Sequence, residues 1–388
     1  HLLFGYDMIY DKLRLFTTNH ELFATFICFH LFSFVEMESQ RRIVLSSKDR
    51  FSGAYNVEEN IKVENPQGHD VLVRVKACVL SQNSDIELLQ EFRIIGNEAI
   101  PVGTEMSGIV TQVGPDVSRV NVGDEVVGML SVDSSSCAST TFCTISEYNL
   151  VKKPSKVNFA DAACCVGNGI KAYTALHYQA NICGGETVLV MNGASGSGII
   201  AIQLAQSWGA KVITTAHSEE EKLFLEGFQL EIGKIIDFTN PKMSLLDICL
   251  EETGGTGVDC IIDSGVQQFS EEFSDQANSS QCPSKHDLIL SLAVGGRWIT
   301  TQYDLQLDPP DSKILYLKGA AVSFLFKDAW TLAKGQQGRF LHILTDLLEK
   351  VETGTLKPMV HHTVNFEDAC SALRNLHQFT VGNVVLVM

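Results

Sequence analysis

The sequence predicts a mixed α/β chain in which a doubly wound parallel sheet is joined to a β-rich domain. Three observations carry this. From Val71 the residues run in short β-branched stretches punctuated by Gly and Pro, as in VLVRVKACVL, SGIVTQVG and EVVGML, the texture of short strands and turns. After Lys156 strand-like stretches alternate with longer helical periodicities, which makes a parallel sheet with right-handed crossovers. Between Glu186 and Ala210 an apolar strand runs into small residues and then into a helix. A chain of 388 residues is also long enough for about two domains.

Residues 1–36 differ in texture from the rest. One reading is a targeting or anchor segment, with Met8 as start, Lys12 and Arg14 as a basic region and the 14 mainly apolar residues Leu22 to Val35 behind them. The other is a translated leader or artefact ahead of a start at Met37. No small-residue cleavage site follows Val35, and eleven cysteines without a CxxC pair read as reduced thiols. The segment is therefore expected to lie outside the fold, and the protein to be cytoplasmic. With 29 basic against 46 acidic residues the net charge is −17, which repels phosphate backbones and acidic membranes. Nucleic acid is excluded as a general partner, and a membrane stays open only through residues 1–36.

The parallel part is expected to run ETVLVMNGAS, a helix through Trp208, AKVITTA, a helix from about Glu219, KIIDF, a helix near Leu245 to Glu252, VDCIIDSG and GGRWITT. The aperiodic, Ser- and Gln-rich interval from Phe269 to Asp287 is expected to be an exposed insertion. GRFLHILTDLLEKVETG and FEDACSALRNLHQ each read as an amphipathic helix. Gly319 to Phe324 reads as a late apolar strand whose edge could pair with a two-fold mate.

In VLVMNGASGSGIIAIQLAQSWGA the small residues Gly193, Ala194, Ser195, Gly196, Ser197 and Gly198 stand between strand and helix. The free N–H groups and positive end of a helix meet a phosphate only if no side chain blocks the approach. The three positions of the GxGxxG pattern fall on Gly193, Ser195 and Gly198, and a second strand follows at Lys211 to Thr215, the context that a dinucleotide-binding Rossmann unit requires. The buried helix face is expected at Ile199, Ile202 and Leu204 to Ala205. The second strand ends Thr214, Thr215, Ala216, His217, Ser218, without the carboxylate that would hold the ribose 2′-hydroxyl of NAD. Thr215, Ser218 and Lys222 suit a 2′-phosphate instead, so the expected cofactor is NADPH. Lys222 also stands beside Glu219 to Glu221, where a plain surface ion pair is the alternative.

These residues carry a family resemblance from about Val71 to Met388. GTEMSGIVTQVGPDVSRVNVGDEVVG, the glycine turn, TGGTGVDCIIDSG, AVGGRWIT and the terminal GNVVLVM are together similar to the medium-chain dehydrogenase/reductase superfamily, quinone oxidoreductase branch. The resemblance implies a GroES-like β-barrel catalytic domain at 37–157, a Rossmann domain at 158–325 with its insertion near 269–287, and a segment 326–388 that returns to complete the catalytic domain. It also implies a homodimer, and a cleft between domains where the nicotinamide meets its substrate.

Where the zinc enzymes of that superfamily place their ligands, this chain has Gln82, Thr104 and Gly167, and an amide, a hydroxyl and no side chain cannot make a tight zinc site. Cys137 and Cys143 are only a pair, and Cys164 and Cys165 are adjacent, so all four are read as structural. Without metal, hydride transfer needs an electron-poor acceptor such as a quinone or an enone, with hydrogen bonds or a cation on the developing negative charge. The candidates are Gln82, Asn83 and Lys171. Asp263 and Gly265 are expected at a strand-end turn near the cofactor. The Arg and Tyr that usually follow the branch's NxxD motif are here Leu89 and Arg93, and the Thr before the Ala-Tyr pair is Lys171. Asn83 also reads as a loop-capping amide. Lys171 is either a solvated helix residue or must find an anion, a cofactor phosphate or Glu105. Two functions therefore stay open: an NADPH-dependent reductase of quinones or activated alkenes, and an NADPH-binding protein that has lost efficient chemistry and serves an assembly as a structural or sensing part.

Overall fold

Alternating, β-branched stretches in the first half become strands. The computed structural model describes residues 39–46, 55–81, 100–228, 230–239, 244–267 and 282–388. Described residues other than 39–40 and 60–64 belong to one compact unit, and the contacts given below are within it. The first strands are β1 (Ser39–Leu45), β2 (Tyr55–Lys62), β3 (Asp70–Leu80), β4 (Ile100–Pro101), β5 (Glu105–Val113), β6 (Glu125–Met129), β7 (Phe142–Ser146) and β8 (Leu150–Lys152). β3 is the central one: Val71, Val73 and Val75 point to one face and are buried in the first core with Met106, Val110 and Val126, as the period of two demands. It pairs antiparallel with β5 and with β7. β5 approaches it closely enough at Gly108 that a Cβ there would run into the Arg74 carbonyl.

The second half supplies the parallel sheet. Helix α1 (Phe159–Tyr173) passes directly into a π-helical turn, Thr174–Gln179. Then come β9 (Thr187–Val190), α2 (Gly196–Ser207), β10 (Lys211–Ala216), α3 (Glu219–Gly227), β11 (Ile232–Asp237), α4 (Leu245–Glu252), β12 (Val258–Ile262), α5 (Lys285–Ser291), β13 (Leu292–Thr300), α6 (Pro309–Lys318) and β14 (Ala321–Phe324). The strand order is β11-β10-β9-β12-β13-β14, every pair parallel. The chain moves outward from β9 to β11 and then crosses to β12 on the other side of β9. That reversal leaves a crevice at the carboxyl ends of β9 and β12, the place where such sheets take ligands.

Ile199, Ile202, Leu204 and Ala205 are buried as expected, and helix α2 has no solvent face anywhere along Ile199 to Ala205, because it packs against α1 as well as β9 and β10. Two other expectations are corrected. Lys285 to Asp287, read as the end of an insertion, are the first turn of α5: Ser284 accepts from Asp287 N–H as N-cap, and Lys285 is buried with its ammonium 2.7 Å from Asp308 Oδ2. Within that interval, residues 269–281 lie outside the described residues. FEDACSALRNLHQ forms only α9 (Ala369–Arg374) and a 3-10 turn at Leu376–Gln378. Helix α6 is an addition: Pro309 and Pro310 start it and Gly319, at φ +58°, ends it in the left-handed conformation.

Before α9 the chain forms α7 (Ala329–Leu332), α8 (Gln337–Glu352) and β15 (Val360–Val364), and after it β16 (Asn383–Val387). Phe340, Leu341, Ile343, Leu344, Leu347 and Leu348 form the buried stripe of α8, and Gly169 lets Leu347 settle on α1. β16 pairs parallel with β15 and antiparallel with β3, Val385 opposite Val79. The end of the chain is thus part of the first sheet, whose order is β15-β16-β3-β5-β6-β8 with β7 also on β3. Among the described residues no helix is long and apolar enough to cross a membrane.

Candidate functional site

The glycine turn is shaped by close packing. A Cβ on Gly193 would overlap the Thr214 hydroxyl, and one on Gly198 would overlap the Asn192 carbonyl and come within 2.8 Å of Gly193 Cα. Ser195 serves as the N-cap of α2: its hydroxyl accepts from Gly198 N–H at 3.1 Å and donates to the Asn192 carbonyl at 2.7 Å. A serine at the middle position of the pattern therefore does local work that a glycine could not. Asn192 itself sits at φ +54°. The C-terminal segment closes over the turn. Gly382 N–H donates to the Ala194 carbonyl at 2.8 Å, and a Cβ on Gly196 would meet the Asn383 amide. The start of α2 keeps its positive end, and two buried polar atoms nearby have no protein partner, Oδ1 of Asn192 and Nδ1 of His217. A ligand bearing phosphates and sugar hydroxyls fits both features.

At the tip of β10 the candidate residues are largely engaged. Thr215 is fully buried, its hydroxyl accepting from Asn192 N–H at 2.8 Å. Ser218 caps α3 by accepting from Glu221 N–H, and the buried Glu221 carboxylate accepts from His217 N–H at 2.7 Å, a reciprocal arrangement close to a capping box. A carboxylate thus folds back to the strand tip from one turn into the helix, which the sequence reading placed there only as a neighbour of Lys222. Lys222 stands in the surface-pair alternative, 3.2 Å from Asp237 and 3.9 Å from Glu219. The hydrogen bond that Lys222 donates to Asp237 raises its pKa. The His217 ring stacks on Phe238 with centroids 4.9 Å apart, and burial lowers its pKa against a smaller opposing pull from Glu221.

Asp263 ties two strand ends together. One oxygen accepts from the Trp298 indole at 2.8 Å and the other from Thr301 N–H at 3.0 Å and Gly265 N–H at 3.3 Å. Its carboxylate is consumed by the protein, while Gly265, at φ +113°, opens onto the cleft.

That cleft, of 930 Å³, brings Ser197 and Gly265 together with Thr104, Glu105, Lys171 and Lys327. Glu105 is 5% exposed, its Oε1 2.6 Å from Lys327 Nζ. The Gly167 backbone lies so close that a Cβ there would overlap the Glu105 carboxylate. The anion offered to Lys171 by the sequence reading is therefore held by Lys327, a residue that no local pattern singled out. Gln82 and Asn83 lie outside the described residues. Cys137, Cys143, Cys164 and Cys165 are buried, and burial pushes the thiols of Cys143 and Cys165 up to about 12. Among the described residues no group of three or more His, Cys, Asp or Glu is placed to hold a metal ion.

Residues 67–183 match the alcohol dehydrogenase GroES-like domain family. The chain is 43% identical to quinone oxidoreductase-like protein 1 of Mus musculus over 324 residues, 84% of this chain and 92% of that protein. It is 25% identical to the quinone oxidoreductase of Homo sapiens over 82% of this chain and 89% of the other. The crystal structure of the CurK enoyl reductase superposes with a TM-score of 0.72 at 23% identity, covering 90% of this chain and 99% of that one, a likeness of fold.

Proposed function

Since the chain belongs to the medium-chain dehydrogenase/reductase superfamily, in the quinone oxidoreductase-like group, we propose that it is a zinc-independent, NADPH-dependent reductase of quinones or activated alkenes and carbonyls. The observation that carries this reading is the cleft in which Ser197, from the glycine turn, shares one wall system with Glu105 and Lys327. When bound, the nicotinamide supplies hydride. The N–H groups at the start of α2 would hold the pyrophosphate, and Asn192 and His217 would find their missing partners on the sugars. Thr104 and Gly167 leave zinc without two ligands, so charge on the acceptor must be met by side chains.

NADPH is proposed over NADH because β10 ends in Ala216 with Ser218 and Lys222 beyond it. Lys222 must then exchange Asp237 for the 2′-phosphate, and an exposed ion pair is weak enough to allow that. Titration of nicotinamide fluorescence should show tighter NADPH binding, reduced by Lys222→Ala while NADH binding is unchanged. Equal or reversed preference overturns the cofactor assignment. Consumption of NADPH with a panel of ortho-quinones and enones tests the reaction itself.

Lys171 favours a second reading, a dinucleotide-binding protein with little turnover, because it lines the space where an acceptor must stack. Lys171→Thr should then raise quinone turnover without tightening NADPH. We also propose a homodimer joined through β14, the last strand of the parallel sheet, which sedimentation would test, and a cytoplasmic location.

A further inference from the structure

We propose that the Lys327 ammonium, seated on Glu105, is the catalytic acid that meets the acceptor's oxygen and protonates it as hydride arrives. The inference deepens the reductase reading and rests on it. Glu105 and Lys327 are 222 residues apart in sequence and 2.6 Å apart in space, their side chains 7% and 25% exposed. A carboxylate this deeply buried requires a cation. An ammonium carries three N–H donors, so it can hold Glu105 and a second oxygen at once. Gly167 makes room for the carboxylate, which fixes the ammonium on the cleft wall.

The backbone around Lys327 is also held. Leu325 N–H donates to the Thr300 carbonyl at 2.7 Å, and Thr331 Oγ1 donates to the Asp328 carbonyl at 2.9 Å. A preorganised cation on the wall of the cleft is what a developing oxyanion needs. For an enone, hydride forms the new C–H bond at the β-carbon, the alkene pair shifts toward the carbonyl carbon and the carbonyl pair moves to oxygen. That oxygen takes the Lys327 proton, its N–H bond breaking as the O–H bond forms, and the amine regains a proton from water. A quinone oxygen takes the same proton on its way to hydroquinone. Glu105 is a positioning residue that holds the ammonium on the cleft wall.

The test uses the full chain with 4-nitrophenol, a ring of quinone size whose colour reports its ionisation, in the absence of any cofactor. Bound to the wild type it should ionise at a pH about one unit lower than in water, a tenfold shift toward phenolate, and Lys327→Met should abolish the shift. Because Lys327→Met leaves a buried carboxylate unpaired, the paired variant Glu105→Gln with Lys327→Met is measured beside it. It should melt near the wild type, lack the shift and lose about 100-fold in quinone turnover. Lys327→Arg should keep the shift. A folded double variant that retains the shift, or turnover within about twofold of wild type, overturns the assignment of Lys327 and leaves the reductase reading intact. A wild type that shifts nitrophenol but reduces no quinone or enone overturns the reductase reading and the protonation step with it.

Discussion

The carboxylate of Glu105 occupies the space that a side chain at position 167 would need. The pair explains why a residue without Cβ stands at Gly167: any larger one displaces a buried charge from its cation, Lys327. Gly167→Ala should therefore destabilise the protein by about 1–3 kcal/mol in urea unfolding. In a Glu105→Ala background the same substitution should cost much less, and that coupling in a double-mutant cycle checks the contact itself. Equal costs in both backgrounds would place the strain elsewhere.

Two substitutions at the glycine turn should separate backbone crowding from capping. Gly198→Ala forces a methyl against the Asn192 carbonyl and Gly193 Cα, neither of which can rotate away. Ser195→Ala removes only the cap on Gly198 and should cost about 1 kcal/mol. Dinucleotide binding, followed by nicotinamide fluorescence, should be abolished by the first and weakened less than tenfold by the second.

Asp263 should prove to be a structural tie. Asp263→Ala strands the Trp298 indole N–H and the Thr301 N–H and should cost about 3 kcal/mol, with a change in Trp298 fluorescence. At cofactor concentrations that saturate the folded protein, binding to the surviving fraction should be nearly unchanged. A large loss of affinity without loss of stability would return Asp263 to the cofactor site.

Stability should fall with acid partly through Glu186. Two Arg297 hydrogen bonds, at 2.9 and 2.8 Å, hold its carboxyl below the usual range. A carboxylate whose pKa is lower when folded adds stability above its unfolded pKa and loses it as pH falls through the folded value. Glu186→Gln should thus cost about 1 kcal/mol near neutral pH, a figure reduced for its partial exposure, and the gap to wild type should narrow as pH falls below the ordinary glutamate range.

His217 has the opposite chemistry and the same direction. Burial lowers its pKa, so the folded state resists the proton that the unfolded chain accepts. Its neutral form is compatible with the fold above the ordinary histidine pKa, and stability declines as pH drops below that value. His217→Phe, which keeps the stack on Phe238, should flatten this part of the unfolding profile as pH falls below the ordinary histidine pKa of about 6.5. An unchanged slope would show that the ring protonates equally well in both states.

What the sequence determined by itself was local. The run from Glu186 to Ala210 reads as strand, turn and helix because its demands are short-range: apolar residues along β9, no Cβ at Gly193 and Gly198, and a hydroxyl at Ser195 to cap α2. The β-rich first half and the alternating second half follow equally from periodicity, since a period of two or 3.6 is written in neighbouring residues. Helix α6 escaped that reading because Tyr316 and Leu317 are exposed apolar residues that blur its period. Tertiary structure decided the rest. Lys222 pairs with Asp237 only because β11 lies beside β10, and Asp263 is consumed only because β13 brings Trp298 and Thr301 to it. The Glu105–Lys327 pair depends on the chain passing through the whole parallel sheet before returning to the cleft. No window of sequence contains both residues, and the free energy that joins them, burial of a carboxylate against one ammonium, exists only once the surrounding protein has excluded water.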